Sequence, residues 1–370
     1  MYTVQNERPV KDCAPLLRQF EKEAINPLAE TLFRLEKEIP NTAQPNTHDG
    51  YMEVVGEAIE RSLAVCREFD ALWSEDPQLV KLARQVYLEK TSFLSCSWII
   101  QRARSKPSGF AGDYLMLVKI YDQQTPACGL GGYIDTWLLQ IQLGQAVRTR
   151  LTSAREFLLQ ELLQRRGQIR ILDVASGPCR EYIQWPRFSD ILQVESLALD
   201  NDPNAIAYVK EHVVPLLPQQ TVLKPTQYNA LRTVSAESNL REFGTCDIIY
   251  SVGLLDYLSD KHLVRMLNAW LDTLKPEGVM YVAFKDCQRY DHTIYQWLLD
   301  WYFYQRTEGD VFRLFDLAGY DVSQLESSRD ASGIIINFVS SPSGRIHRVD
   351  APIQITARPR VHNMSMTVKP

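Results

Sequence analysis

Two apolar segments in the second half of the chain each end in an acidic residue. Asp173 lies in I-L-D-V-A-S-G-P-C-R-E at 171–181, and Asp200 ends the apolar part of S-L-A-L-D-N-D-P-N-A. In open parallel sheets, ligands bind beyond the carboxyl ends of the strands, where an acidic residue can accept hydrogen bonds from both ribose hydroxyls. Small residues after Asp173 let a ligand approach the backbone. The alternative for each segment is a plain strand that runs into a turn.

Polar and small residues follow two further apolar segments. Asn229 lies in T-Q-Y-N-A-L-R, where it is either a contact to an adenine edge or a turn residue, and C-D-I-I-Y-S-V-G-L-L-D-Y ends its apolar part at Ser251 and Gly253. The nucleotide-binding residues predicted from these four segments are Asp173, Ala175, Ser176, Gly177, Pro178, Asp200, Asn201, Asn229, Ala230, Ser251 and Gly253.

Periodicity explains little of a third unusual segment, S-K-P-S-G-F-A-G-D-Y-L-M-L-V-K-I-Y at 105–121. Gly109 and Gly112 permit a close backbone approach, and Phe110, Asp113 and Tyr114 could line a pocket. We interpret it as a lid or acceptor-site wall laid across the carboxyl edge of the sheet. The alternative is an inter-helix loop in which Asp113 caps a helix.

The elements that position these residues fall into two groups. Residues 50–165 have apolar residues three or four positions apart, which predicts helices over 51–69, 80–100 and 133–166, the last broken near Gly144 and capped by Gly167. The G-L-G-G run at 129–132 follows no strand and predicts a turn. After Gly167, short apolar runs alternate with helical stretches at 203–213, 259–274 and 308–318, which indicates βαβ units and a mostly parallel sheet.

This order of elements resembles the class I S-adenosylmethionine-dependent methyltransferases over roughly residues 168–340. The resemblance implies an α/β fold with a Rossmann-like, mostly parallel sheet, an antiparallel last strand and an N-terminal helical domain. It implies S-adenosylmethionine as the cofactor and S-adenosylhomocysteine as the product. Only Gly177 remains of the three alternating glycines usual in that superfamily, because Ala175 and Cys179 replace two of them.

A narrower resemblance rests on K-P-S-G-F-A-G-D-Y at 106–114, A-S-G-P-C-R-E, S-V-G-L-L-D-Y-L and D-W-Y-F-Y-Q-R-T-E at 300–308. These segments are similar to a bacterial group named extracellular-factor 3-hydroxypalmitic acid methyl ester biosynthesis proteins. That group name implies O-methylation of a fatty-acid carboxyl. The predicted domains are a helical cap at 1–150, a methyltransferase domain at 151–342 and a basic tail at 343–370. The tail is either an extended arm or a docking arm.

Methyl transfer defines the predicted roles of the remaining residues. A carboxylate acceptor is already ionised at neutral pH, whereas a hydroxyl or amine needs a base within about 3 Å of its proton. Asp113, Asp256 and His292 are the candidate bases, with a surface histidine as the alternative for His292. If 300–308 is helical, Trp301, Tyr304 and Glu308 share one face and Tyr302 and Arg306 another, so Arg306 either faces the acceptor or forms an ion pair. The predicted catalytic residues are Asp113, Tyr114, Arg306 and His292, and the predicted substrate-binding residues are Phe110, Tyr121, Asp256, Tyr257 and Tyr302.

Composition narrows the function class. The net charge of −5 disfavours nucleic-acid binding, and the segment after Ser251 lacks the N/D-P-P-[YF] motif of nucleic-acid methyltransferases. The missing G-x-G-x-x-G disfavours an NAD oxidoreductase. Seven dispersed cysteines without a C-x-x-C pair, no signal peptide and no membrane span predict a cytoplasmic protein without a metal site. We predict a small-molecule acceptor and a homodimer; the alternatives are an N- or C-methyltransferase and a non-catalytic cofactor-binding scaffold.

Overall fold

One seven-stranded sheet organises the chain in the computed structural model, which describes residues 13–189 and 191–344. Its strand order is β3-β2-β1-β4-β5-β7-β6, and β7 runs antiparallel to both β5 and β6 while the other neighbours are parallel. The predicted Rossmann-like α/β fold with an antiparallel last strand is therefore confirmed. The strands are β1 (Gly167–Val174), β2 (Leu192–Asp200), β3 (Thr221–Gln227), β4 (Cys246–Val252), β5 (Leu274–Lys285), β6 (Glu326–Arg329) and β7 (Ile335–Ser340).

Both faces of the sheet are covered by helices. Successive strand residues point to opposite faces, so Ile171 and Tyr250 belong to one hydrophobic core while Leu172 and Ile249 belong to the other. The first core joins the sheet to the N-terminal helices, and the second joins it to the helices that follow β3, β4 and β5. This two-sided burial explains why the strand sequences are continuously apolar rather than alternating.

Eight helices precede the sheet and four lie within the α/β part of the described chain. The first set is α1 (Ala14–Phe20), α2 (Asn26–Glu38), α3 (Tyr51–Leu72), α4 (Pro77–Lys90), α5 (Trp98–Ser105), α6 (Tyr114–Asp122), α7 (Gly129–Gln140) and α8 (Gln142–Gln164). The second set is α9 (Pro203–His212), α10 (Ala236–Phe243), α11 (Asp260–Thr273) and α12 (Glu308–Leu317). The three helices predicted between strands correspond to α9, α11 and α12.

Three sequence-based boundaries are wrong. The predicted helix at 80–100 is two helices, α4 and α5, separated by a 3₁₀ turn at Ser92–Cys96. The break in the 133–166 stretch lies at Ile141, whose extended backbone (ψ 159°) ends α7 before α8 begins. Gly167 starts β1 instead of capping α8. Helical periodicity continues through each interruption, and periodicity alone does not mark a change of axis.

The predicted turn at 129–132 is also wrong, because these residues form the first turn of α7. A Cβ at Gly131 would lie 2.1 Å from the carbonyl oxygen of Cys96. The glycines therefore let α7 pack directly against the backbone that links α4 to α5. The sequence analysis did not predict α1, α2, α10 or β6.

The predicted domain boundary at residue 150 falls inside α8, and the division into domains stays a prediction. Residues 345–370, which hold the predicted basic tail, lie outside the described residues. In the part of the chain that the structure covers, no helix is long and apolar enough to cross a membrane.

The fold places the functional candidates at one edge of the sheet. β1 lies between β2 and β4, so the chain leaves β1 at the point where the strand order reverses. Loops that follow β1 and β4 diverge at such a switch point and leave a crevice between them. The residues after β1, β2, β4 and β5 therefore surround one region, which we call the carboxyl rim.

Candidate active site

The loop after β1 is held against the end of β2. The backbone N–H of Gly177 donates to Oδ2 of Asp200 over 2.8 Å, and the N–H of Asp202 donates to Oδ1 over 2.9 Å. Ala175 and Gly177 both have a positive φ, at 60° and 54°, so the loop turns tightly back toward β2. Burial raises the pKa of Asp200, and the backbone N–H groups oppose that rise. The predicted proximity of Asp200 and Gly177 is thus present in the structure.

The carboxyl end of β1 opens into a small pocket. Its walls are Leu117, Tyr121, Leu151, Ala154, Asp173, Ala175, Ser176, Pro178, Arg180, Glu181, Tyr250 and Val252. These residues come from α6, α8, β1, β4 and the loop after β1. The pocket therefore lies where the helical part of the chain meets the switch point of the sheet.

Two buried carboxyl groups share the floor of this pocket. Asp173 and Glu181 are hydrogen-bonded to each other, and the hydroxyl of Tyr250 donates to Oε1 of Glu181 over 2.5 Å. Burial raises the pKa of Asp173, and the charge of Glu181 raises it further. Burial also raises the pKa of Glu181, an effect that the hydrogen bond from Tyr250 opposes. The pair therefore favours holding a proton between its carboxyl groups.

Asp173, Cys179 and Glu181 also bring three potential metal-ligand atoms within 4.8 Å of one another. The Sγ of Cys179 lies 3.9 Å from Oδ2 of Asp173, and burial raises the pKa of this thiol well above its usual range. Contacts among these groups and with the hydroxyl of Tyr250 hold the cluster together.

Helix α6 lies against the loop after β1 and the helix after β2. Leu117 lies 3.5 Å from the position that a Cβ would take at Gly177, and Tyr114 packs against Tyr208 of α9 with 5.7 Å between ring centroids. The pKa of Tyr114 is raised by burial and then by the charge of Asp202. The other end of α6 is tied down by the ion pair between Asp122 and Arg180. The helix thus spans from the end of β2 to the loop after β1.

The start of the 105–121 segment contacts the opposite side of the rim. A Cβ at Gly112 would lie 2.4 Å from the Trp301 ring and 3.2 Å from the hydroxyl of Tyr257. The indole N–H of Trp301 donates to that hydroxyl over 2.7 Å. Phe110 is half-buried beside this contact. The segment therefore crosses the rim from the β4 side, at Tyr257, to the β2 side, at Asp202.

Asp113 caps α6 and does not stand free in the pocket. Its Oδ1 accepts from the backbone N–H of Met116 and from Nε of Arg102, each over 2.9 Å, and its Oδ2 lies 2.7 Å from Nη2 of Arg102. Its side chain is fully buried. These contacts correspond to the alternative interpretation, in which Asp113 orders the lid.

Asp256 is likewise engaged, in a buried ion pair with Lys285 at the end of β5. The two charged atoms lie 2.5 Å apart, and the backbone N–H of Lys285 also donates to Asp256. The Nζ of Lys285 lies 4.1 Å from the centroid of the Phe303 ring. Burial lowers the pKa of Lys285, Asp256 counteracts that shift, and the positive charge of Arg150 adds to it.

Residues 300–308 are not helical before Thr307, so the predicted grouping of their side chains by helical face is wrong. The backbone N–H of Tyr304 donates to the carbonyl of Asp256, and Arg306 bridges to Asp286 of the segment after β5. The backbone groups thus pair with the β4 and β5 loops instead of with one another. Arg306 is buried, pairs with Asp260 and donates to the carbonyls of Leu255 and Leu258.

Two other predicted residues lie apart from the crevice contacts. His292 is exposed at the start of the π-helical turn Ile294–Leu298. Tyr302 interacts with Arg84 of α4, whose guanidinium lies 5.9 Å from the ring centroid. Arg84 also pairs with Asp70 of α3. Both predicted roles stay predictions.

The remaining nucleotide-site candidates are at the ends of their predicted strands. Asn229 accepts from the backbone N–H of Leu231 and so caps a 3₁₀ turn that includes Ala230. The hydroxyl of Ser251 donates to the carbonyl of Val174, linking β4 to β1 over 2.7 Å. Asn201 is exposed beside Asp200, and Pro178 lines the pocket.

The sequence analysis missed several rim residues, above all Arg150, Glu181 and Lys285. Arg150 had a readable signal, because Ala146, Arg150, Ala154 and Leu158 follow one another at four-residue intervals and all are buried. A charged residue in the apolar stripe of an amphipathic helix must face a partner or a ligand. Glu181 had only its proximity to Asp173 in sequence, and Lys285 had no local signal.

No family model matches the chain, and no curated protein matches it. Among solved structures, a possible exported protein from Bordetella parapertussis is 15% identical, with 90% of this chain and 98% of that chain covered and a TM-score of 0.49. Magnesium protoporphyrin IX methyltransferase from Synechocystis PCC 6803 with bound SAH is 9% identical over 65% of this chain and 96% of that chain, with a TM-score of 0.44. A glycopeptide N-methyltransferase complexed with sinefungin is 12% identical over 51% and 85%, with a TM-score of 0.35.

Proposed function

We propose that the protein is an S-adenosylmethionine-dependent methyltransferase that O-methylates a small-molecule acceptor. The observation that carries the proposal is the contact of Asp200 with the N–H of Gly177, at the switch point of the sheet and beneath helix α6. This contact joins an acidic residue at the end of β2 to a tight loop after β1, which is the arrangement that dinucleotide-type folds use to hold a ribose and its neighbours.

The residues at this place fit an adenosine. Asp200 accepts hydrogen bonds from the backbone N–H groups of Gly177 and Asp202, and it lies beside the tight loop after β1, in which Ala175 and Gly177 have positive φ. The buried Oδ2 of Asp202 has no hydrogen-bond partner in the described chain, which marks an unfilled acceptor beside Tyr114. We assign Asp200 to the ribose hydroxyls, Asn229 and Ala230 to the adenine side, and the pocket around Asp173 to the amino-acid end.

S-adenosylmethionine supplies a methyl group on a sulfonium, and on transfer to an acceptor oxygen the electron pair of the broken carbon–sulfur bond stays on sulfur. The chain's part is to align the two partners and exclude water, since alignment alone can contribute roughly 7–11 kcal/mol in favourable cases. The lid formed by 105–121, with Trp301 and Tyr257 against Gly112, provides that exclusion.

The preferred acceptor is a carboxylate. Of the three candidate bases, Asp113 is held by Arg102, Asp256 is held by Lys285, and His292 is exposed. A hydroxyl acceptor would have to lose its proton to such a base, whereas a carboxylate has none to lose. The engagement of Asp113 and Asp256, together with the exposure of His292, therefore supports a nucleophile that is already ionised.

Calorimetric titration with S-adenosylhomocysteine tests the cofactor assignment. We expect the wild type to bind and Asp200→Ala to bind about 10–100-fold more weakly, because hydrogen bonds to a charged group contribute about 1.5–3 kcal/mol. Asp200→Asn keeps an acceptor for the Gly177 N–H and separates local unfolding from loss of the ribose contact. Glu195→Gln on the same strand is the matched control, since Glu195 pairs with Arg170 and Lys224.

Equal affinity of the wild type and Asp200→Ala would remove Asp200 from the site. Incubation with methyl-labelled donor and cell extract then distinguishes an enzyme from a scaffold, because a scaffold binds the cofactor and transfers no label. For an acceptor found in this way, a rate that is flat from about pH 6 to 8 is the expected result for a carboxylate nucleophile.

A further inference from the structure

We propose that Arg150 forms a carboxylate-binding subsite at the carboxyl end of β4. The proposal rests on the methyltransferase function proposed above and adds a ligand contact to the same rim. Arg150 extends from α8 and is only 5% exposed. Its guanidinium lies over Gly253, where a Cβ would be 2.9 Å from Nη2 and 3.0 Å from Nη1. The positive φ of 99° at Gly253 favours glycine at this position.

Arg150 differs from the other buried arginines in its partners. Arg306 has Asp260 and two backbone carbonyls, and Arg104 donates to the carbonyls of Leu298 and Thr91. Among the ion pairs of residues 13–189 and 191–344 none includes Arg150, and its buried Nε has no hydrogen-bond partner. A buried charge without a counter-ion is costly. The arrangement therefore points to an anion supplied by a ligand.

The groups around Arg150 do not replace that anion. Burial raises the pKa of Tyr121, Tyr257 and Tyr281, and the positive charge of Arg150 opposes that rise. Lys285 adds a second cation, already paired with Asp256. A planar guanidinium with two parallel N–H groups matches a carboxylate in geometry. The net positive charge and this fork select a carboxylate ligand.

Two carboxylates of the proposed reaction could reach this subsite. One belongs to the amino-acid end of the methyl donor, and the other to a carboxylic acceptor. Arg150 lies near the pocket of Asp173 and Glu181, because Tyr121 is close to Arg150 and also lines that pocket. That acidic pocket is suited to an ammonium group, which the amino-acid end carries next to its carboxylate. The same contact between guanidinium and carboxylate would bind either source. Titration with ligands that carry only one of the two carboxylates distinguishes them.

Calorimetry with three probes tests the subsite in Arg150→Gln and the wild type. S-adenosylhomocysteine carries the amino-acid carboxylate, 5′-methylthioadenosine lacks it, and octanoate added to protein saturated with S-adenosylhomocysteine represents a carboxylic acceptor. We expect about 10–100-fold weaker binding of one carboxylate probe in Arg150→Gln, with 5′-methylthioadenosine unchanged. Loss confined to S-adenosylhomocysteine assigns the donor as the source, and loss confined to octanoate assigns the acceptor.

A urea unfolding measurement distinguishes an arginine that binds a ligand from one that stabilises the fold. We expect the urea midpoint of Arg150→Gln to equal or exceed that of the wild type, whereas Arg306→Gln lowers it, because only Arg306 leaves broken pairs behind. Arg150→Lys keeps the charge without the fork and should bind the affected probe with intermediate strength. This variant keeps the test available if the glutamine variant folds poorly.

The proposal is overturned if Arg150→Gln binds S-adenosylhomocysteine and octanoate as the wild type does. In that case normal nucleoside binding leaves the proposed function standing. A wild type that binds neither S-adenosylhomocysteine nor 5′-methylthioadenosine contradicts the proposed function instead. Octanoate titrated alone then decides the subsite, since binding that Arg150→Gln loses supports it and no binding to the wild type overturns it.

Discussion

The carboxyl rim is lined by acids between β1 and β2 and by cations between α8 and β5. On the acidic side, Asp173 and Glu181 share hydrogen bonds and Asp200 accepts two backbone N–H groups. On the basic side, Lys285 pairs with Asp256, and Arg150 has no carboxylate partner in the described chain. Both sides therefore bury ionisable groups, but the contacts of these groups differ between the two sides.

The difference follows from proton chemistry. A buried carboxyl can reduce its desolvation cost by holding a proton, and the raised pKa values of Asp173 and Glu181 have this cause. An arginine side chain keeps its proton in proteins, so its charge must be balanced by another group. The carboxyl pair can therefore reduce its own charge, whereas the charge of Arg150 needs an anion, which a ligand would supply at the proposed subsite.

The largest expected effect comes from breaking the ion pair on the basic side. Lys285→Met leaves Asp256 buried and unpaired, and we expect the free energy of unfolding in urea to fall by about 3–5 kcal/mol. The double variant Lys285→Met with Asp256→Leu removes both charges and should recover most of the loss. A fall below about 1 kcal/mol in the single variant would mean that Asp256 becomes neutral on its own, and the contrast between the sides would disappear.

A pH-dependent effect of intermediate size is expected on the acidic side. Because the native pair keeps protons that unfolded carboxyls release above about pH 4–5, its contribution to stability is lost as pH rises toward the raised native pKa values. Glu181→Gln removes one such group. Relative to the wild type, the free energy of unfolding of this variant should rise by up to about 1.4 kcal/mol per pH unit between pH 5 and 8.

Glu195→Gln is the matched control for this pH profile. Hydrogen bonding and charge from Lys224 and Arg170 lower the pKa of Glu195, so its stabilising contribution is present above the unfolded pKa and lost only as pH falls toward acid. The difference between this variant and the wild type should therefore stay constant from pH 5 to 8. Parallel profiles for Glu181→Gln and the wild type would show that the acidic pair is ionised in the native protein.

The smallest expected effect is that of replacing His292. His292 is exposed and outside the contacts of both sides, so His292→Ala should change the free energy of unfolding by less than about 0.5 kcal/mol. The rate of methyl transfer and its pH profile should match those of the wild type. If the rate of the wild type rises with pH near the ordinary pKa of histidine, about 6.5, and this rise is absent from His292→Ala, then His292 is the base instead.

The sequence could predict the parts that depend on local pattern. Apolar runs and helical spacing predicted six of the seven described strands and three of the later helices, because burial on two faces of a sheet leaves a continuous apolar signature. Asp200 and Gly177 could be paired for the same reason, since the carboxyl ends of neighbouring parallel strands meet at one edge. A helix does not form over 300–306, because the N–H of Tyr304 donates to the carbonyl of Asp256 and the carbonyl of Arg306 accepts from the N–H of Cys287.

The sequence by itself determined the α/β fold and the edge of the sheet that bears the candidate site. Only the tertiary structure decided which charges there are paired. Arg102 satisfies Asp113, Lys285 satisfies Asp256, and, within residues 13–189 and 191–344, Arg150 faces Gly253 without a carboxylate. These outcomes depend on contacts between elements far apart in the chain, and the cost of a buried charge is set by what packs against it rather than by its neighbours in sequence.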